Sequence, residues 1–152
     1  MIVFRLCKSK YARDLSGKGS EIAGGRWNSK GVPVIYCSAS RALCTTEIAV
    51  HTPLGNIPED YYIVSIKISD TGIYELTESK LPKEWRAFPH SINTQKIGDQ
   101  FVKENKHAVL RVPSAVVQGD FNYVINPRHR DFSKVKIVNV QAFSFDERLF
   151  RK

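Results

Sequence analysis

The sequence predicts a strand-rich α+β domain with two or three helices. Three observations carry that expectation. Most apolar segments are short and rich in β-branched residues, only two segments show clear helical periodicity, and strands and helices do not alternate as a doubly wound parallel sheet requires. The chain of 152 residues is long enough for one domain with a real core, so a single domain over 1–152 is expected.

The elements follow in chain order. "IVFRL" (2–6) reads as a strand, and "SGKGSEIAGG" (16–25) reads as a flexible glycine-rich loop or a nest of backbone N–H groups. "VPVIYCS" (32–38) reads as a buried strand that tolerates Pro33 at its start. "SRALCTTEIAVH" (40–51) has helical spacing, with Ser40 placed to cap it. "YYIVSIKIS" (61–69) is a strand with alternation in its second half. "NTQKIGDQFVKEN" (93–105) is an amphipathic helix with Ile97, Phe101 and Val102 on one side and Asn93 or Thr94 near its cap. "AVLRVPSAVV" (108–117) is a strand broken at Pro113, and "FNYVIN" (121–126) and "VKIVNVQAF" (135–143) are further strands.

Composition narrows the function classes. Hydrophobic residues make up 42% and charged residues 25%, an ordinary globular balance. No apolar run approaches the roughly 20 residues of a membrane helix. The N-terminal "MIVFRLCKSK" carries its charges after the apolar stretch, the reverse of a signal peptide. A cytoplasmic location is therefore expected. Cys7, Cys37 and Cys44 have no disulfide or zinc spacing and read as small buried hydrophobes. No His, Asp and Glu set has metal-ligand spacing, so no metal is expected. The formal charge of +8 attracts polyanions in general. Its lysines and arginines are scattered, and no nucleic-acid-binding motif is visible.

Four residues stand out. Glu47 falls on one helical face with Ala39, Leu43, Thr46 and Val50, so a carboxylate enters an apolar stripe. It lies either in a functional cleft or at the rim in a structural salt bridge. Arg26, in "GGRWNSKG" (24–31), leaves a loop that Trp27 anchors; it can clamp a phosphate or pair with Glu47. Tyr36 sits on the strand leading to the Glu47 helix, either as core or as a ring facing a cleft. Ser114 follows Pro113 in a strand break and lies in no G-x-S-x-G elbow, so it does not read as a nucleophile.

These stretches together resemble the RES domain, the toxin half of RES–Xre toxin–antitoxin systems. The shared motifs run in the family's order: "FRL", "GGRWNSKGVPVIYCS", "SRALCTTEIAVH", "IGDQF", "LRVPSAVV", "NYVINPRHRDF" and "FSFDERLF". The resemblance implies a fold similar to ADP-ribosyltransferase toxins and NAD⁺ as substrate. It implies no permanently bound cofactor. NAD⁺ would be degraded by phosphorolysis, with inorganic phosphate as co-substrate, or by hydrolysis; transfer of ADP-ribose to a protein is the alternative. By motif match Arg26, Glu47 and Ser114 take the places of the family's arginine, glutamate and serine, and Tyr36 that of its active-site tyrosine. Asn122 and Arg5 are placed with Arg26 and Tyr36 in binding the dinucleotide. Ser114 is expected to bond the nicotinamide ribose or orient Glu47. The family also implies an Xre-type antitoxin over the active-site entrance and a homodimer, with no direct contact to nucleic acid. A basic nucleic-acid-binding module without catalysis is the rival reading from charge.

Overall fold

In the computed structural model, which describes residues 1–152, the apolar segments become seven strands. They are β1 (Ile2–Lys8), β2 (Ile35–Ser38), β3 (Tyr61–Lys67), β4 (Ile73–Glu75), β5 (Val109–Pro113), β6 (Phe121–Ile125) and β7 (Lys136–Phe143). Three α-helices accompany them: α1 (Lys18–Ala23), α2 (Arg41–Ala49) and α3 (Ile92–Glu104). The strands form one mixed sheet in the order β4–β5–β6–β2–β1–β3–β7. Only the β4–β5 pair is parallel. This is the α+β architecture expected from the sequence, and the seven strands and three helices replace the six and two read individually.

Several boundaries differ for physical reasons. Strand β2 begins at Ile35, so Val32–Val34 lie outside the ladder. The glycine-rich 16–25 stretch is not wholly a loop: Lys18–Ala23 make a helix of 6 residues, entered through Gly17 at φ 74°. Gly19 lies inside that short helix and lowers its propensity, so the sequence carries no clear helical signal there. Strand β4 is only 3 residues long, too short to show a period. Strand β5 ends at Pro113, where the missing N–H stops the ladder. Helix α3 starts at Ile92, slightly earlier than expected, and is capped by Ser91 accepting from the Asn93 N–H, not by Asn93 or Thr94.

The sheet buries both faces. Val3, Cys7, Ile35, Cys37, Val64, Tyr123 and Ile125 fill one face. The other face carries two separate apolar clusters. Trp27, Val34, Leu110, Val112 and Val124 pack with Trp85, Phe101 and Val102 from the α3 side. Leu6, Cys44, Ile63, Phe145 and Phe150 pack on the α2 side. Between them runs a polar seam, Ser38 on β2 opposite Asn122 on β6. The seam coincides with the weakest pairing in the sheet. Strand β1 pairs with β3 along its whole length but with β2 only at Phe4–Ser38. Polar side chains and a loosened ladder leave room for a cleft here.

Helix α3 locks the Gly24–Gly31 loop onto the sheet. Gly98 lies directly against the backbone of Trp27; a Cβ there would sit 1.6 Å from the Trp27 carbonyl oxygen. Asp99 accepts from the Ser29 N–H at 2.9 Å and from the Ser29 hydroxyl. Gln95 Nε2 donates to the Gly25 carbonyl at 3.0 Å. Gly98→Ala is therefore expected to destabilise the fold by about 3 kcal/mol, since overpacked backbone cannot yield as a side chain can. Urea denaturation measures this; a midpoint equal to wild type would contradict the close approach.

Candidate active site

The seam opens into a cleft of about 660 Å³. One wall is the sheet and α2, contributing Phe4, Tyr36, Asn122 and Glu47. The opposite wall is the Gly24–Trp27 loop with Arg86, Phe88 and His90.

Glu47 reaches the cleft because α2 is anchored at its start. Ser40 Oγ accepts from the Leu43 N–H at 3.1 Å, which fixes the helix rotation. Leu43 and Cys44 are buried, whereas Val50 is 54% exposed. The apolar face is thus turned away from the one drawn through Val50, and Glu47 comes to its half-buried edge. Its Oε1 accepts from Asn122 Nδ2 at 2.7 Å and from Ser114 Oγ at 3.0 Å. The structural salt bridge is not found: neither Arg26 nor any other cation pairs with Glu47. Hydrogen bonds to a charged acceptor contribute about 1.5–3 kcal/mol each, enough to hold a half-buried carboxylate in one orientation.

The two donors are themselves fixed. Asn122 Oδ1 accepts from Ser38 Oγ at 2.7 Å, so its amide presents the NH₂ end to Glu47. Ser114 Oγ accepts from the N–H groups of Val116 and Val117 at 3.1 and 3.0 Å, so its own proton goes to Glu47. Ser114 is 1% exposed and does not line the cleft. Of its two expected contacts, the structure contains the one to Glu47; a direct bond to a ribose in the cleft has no exposed atom to make it.

Arg26 stands across from this group. Its Nη1 donates to the Trp85 carbonyl at 2.5 Å and to the Ala87 carbonyl at 3.0 Å. Those bonds leave Nε and Nη2 as a free fork beside the cleft. Burial lowers the guanidinium pKa, and Glu47 acts in the opposite sense. Tyr36 braces the same loop: its hydroxyl donates to Asn28 Oδ1 at 2.6 Å and accepts from the Trp27 N–H at 3.0 Å. Burial pushes its pKa up, so the phenol stays protonated and only its ring is offered to the cleft. Gly25 permits this contact, since a Cβ there would lie 2.7 Å from the Tyr36 hydroxyl.

Arg5 borders the cleft but is oriented differently from the others. The alternation of β1 puts it on the face of Val3 and Cys7, and its Nη1 donates to the Asp14 carbonyl at 2.7 Å. The structure therefore groups Arg26, Tyr36, Glu47 and Asn122 around one cleft, with Ser114 behind Glu47 and Arg5 at the margin. Cys44 also lines the cleft, but burial raises its thiol to about 11, so it is no thiolate nucleophile.

Sequence reasoning missed the wall formed by His51, Arg86, Phe88 and His90. His51 carried a signal, lying one turn beyond Glu47 on the same helical face. The 85–90 stretch has no periodicity and carried none. No group of three or more His, Cys, Asp or Glu side chains is arranged to hold a metal ion. No helix is long and apolar enough to cross a membrane.

The RES domain family profile matches residues 2–146, and the chain belongs to that family. It is 38% identical to the "Prs ADP-ribosylating toxin" of Sphingobium sp. (strain YBL2), over 93% of this chain and 89% of that one. It is 35% identical to "Toxin Res" of Photorhabdus laumondii, over 99% of this chain and 98% of that one. Its fold is similar to a chain in the crystal structure of the M. tuberculosis MbcT–MbcA toxin–antitoxin complex. That likeness has a TM-score of 0.75 at 20% identity, covering 98% of this chain and 86% of the other.

His90 supplies a pH signature of this wall. Burial, with Arg26 and His51 nearby, lowers its pKa below the usual 6.5. The folded chain then resists a proton that the unfolded chain accepts. Its contribution to stability is complete above the usual value and declines as pH falls through it. His90→Asn should flatten the decline in Tm from neutral to mildly acidic pH; parallel wild-type and variant curves would count against this environment.

Proposed function

We propose that this chain is an NAD⁺-consuming toxin of a toxin–antitoxin system, with the seam cleft as its active site. The observation that carries the proposal is Glu47: a carboxylate free of any cation, aimed into a cleft by two neutral donors, opposite an arginine fork. The names of its relatives support the same reading, since ADP-ribosylation consumes NAD⁺.

The chemistry follows from charge. NAD⁺ carries a cationic nicotinamide ring at one end of an anionic pyrophosphate. When the nicotinamide–ribose bond breaks, its electron pair goes to the ring nitrogen, and nicotinamide leaves neutral. Cationic character then develops at the anomeric carbon, as in glycoside cleavage. Glu47 stabilises that charge electrostatically, and the neutral donors on its other side keep it oriented. A cation paired with Glu47 would cancel the effect. Arg26 holds the pyrophosphate through Nε and Nη2, a geometry that suits a bidentate contact. The ring of Tyr36 packs against the ribose or nicotinamide. Ser114 and Asn122 act through Glu47 as positioning residues. No general acid is needed for a leaving group that departs neutral.

An oxygen nucleophile completes the reaction at the anomeric carbon. Phosphate gives a phosphorylated ADP-ribose, and water gives ADP-ribose with release of a proton. A second reading, transfer of ADP-ribose to a protein side chain, is favoured by the relative named as an ADP-ribosylating toxin. The basic surface, +8 overall, suits an acidic face on an antitoxin of the Xre type as well as the substrate's pyrophosphate.

Glu47→Gln keeps the shape and both hydrogen-bond positions but removes the charge. Nicotinamide release from NAD⁺ should fall by at least about a hundredfold, the scale of losing a preorganised electrostatic group. Its denaturation midpoint should remain near wild type. Full turnover by the variant would remove Glu47 from the mechanism. Repeating the assay without phosphate, and with labelled NAD⁺ plus cell protein, separates the three acceptors. Salt-dependent nucleic-acid binding with no loss of NAD⁺ would point instead to a binding module.

A further inference from the structure

The cleft is electrically polarised. Glu47 is the one acid among its lining residues, and it stands on the sheet and α2 wall. Arg26, Arg86 and His90 stand on the opposite wall, with His51 at the mouth beyond Glu47 and Arg5 at the margin, its guanidinium held by the Asp14 carbonyl. At that cationic wall an aromatic side chain is left without cover. Phe88 is 71% exposed. It is not free, however. Its ring lies 5.6 Å from that of His51, tilted by 49°, and 5.5 Å from that of His90, nearly edge-on at 83°. The backbone beneath it is fixed by Arg26, which holds the carbonyls of Trp85 and Ala87. The wall is also chemically unfinished: His90 Nδ1 is buried with no hydrogen-bond partner.

Resting on the proposed NAD⁺ reading, we infer that Phe88, framed by His51 and His90, is the stacking platform for the adenine ring of the dinucleotide. Charge decides which of the two flat rings goes there. Nicotinamide in NAD⁺ is a pyridinium cation, and the guanidinium groups of Arg26 and Arg86 on this wall repel it. Glu47 attracts it. Adenine is neutral, and its π-face accepts both an aromatic ring and nearby cations. Arg26 lies between the two positions, where the pyrophosphate joins the two halves. The polarity of the cleft thus sets the direction of the substrate: nicotinamide riboside towards Glu47, phosphates at Arg26, adenosine over Phe88. Phe88 is accordingly a residue that determines specificity for the dinucleotide over the mononucleotide.

The test uses the whole chain and two ligands that split NAD⁺. ADP-ribose contains adenine without nicotinamide; nicotinamide mononucleotide contains nicotinamide without adenine. Isothermal titration measures both with wild type, Phe88→Ala and Phe88→Tyr, each first checked for an unchanged denaturation midpoint. Phe88→Ala should weaken ADP-ribose about tenfold, the scale of losing one base–aromatic stack, and leave the mononucleotide unaffected. Phe88→Tyr should restore ADP-ribose binding. In turnover the loss should fall on KM for NAD⁺ rather than on kcat. Equal weakening of both ligands, selective weakening of the mononucleotide, or unchanged ADP-ribose binding each overturns the assignment. Turnover of NAD⁺ by the wild type separates the two layers. Turnover with ADP-ribose binding insensitive to Phe88 sinks only this inference. Selective loss of ADP-ribose binding without any turnover sinks only the catalytic reading.

Discussion

A carboxylate cannot sit half-buried on a helix edge without donors, and satisfying Glu47 organises the centre of this molecule. Its donors come from far along the chain and from neighbouring strands: Ser114 just past β5, and Asn122 on β6. Asn122 can serve only because Ser38, its register partner on β2, fixes the amide. Ser114 can serve only because Pro113 ends β5 and turns the chain so that Val116 and Val117 saturate its hydroxyl. One hydrogen-bond chain therefore ties α2 to three strands at the place where the ladder between β1 and β2 is thinnest.

The opposite wall is built by backbone proximity rather than by charge. Gly98 lets α3 touch the Trp27 main chain, and Asp99 and Gln95 fasten the loop on either side. Asn28, wholly buried, bonds the Ser20 and Val32 carbonyls and receives the Tyr36 hydroxyl. Arg26 is thereby aimed, and its Nη1 in turn fixes the 85–87 backbone. Each wall has its own support, α2 and the seam on one side and α3 on the other, and Tyr36 and the His51–Phe88 contact join them. Opposite charges then face each other across the cleft without collapsing into a salt bridge, which leaves both available to a ligand of mixed charge.

Much of this was legible from the residues. Alternating β-branched segments placed β1, β3, β6 and β7 because those strands are long enough to show a period. Ser40 announced the start of α2, and helical spacing put Glu47 in the apolar stripe; the exposed Val50 shows that face turned, which brings Glu47 to its edge. The pairing of Glu47 with Arg26 was a fair expectation from charge alone. It failed because Arg26 finds main-chain carbonyls on a segment 59 residues away, which no local pattern reports. Gly98, a residue of low helix propensity, is the contact that seats α3, and no periodic pattern reports such a contact. The 85–90 wall was invisible for the same reason: irregular backbone has no period, and its position depends on one distant guanidinium. Ser114 was identified only through its family motif, since Pro-Ser by itself reads as a turn.

The account stands on Glu47 and Arg26 serving one ligand from opposite walls. A crystal structure of the Glu47→Gln variant with NAD⁺ tests that most directly. The expected density places the nicotinamide ribose within hydrogen-bond reach of residue 47 and the pyrophosphate on Nε and Nη2 of Arg26. Dinucleotide bound away from the seam, or bound there with its phosphates remote from Arg26, would contradict it.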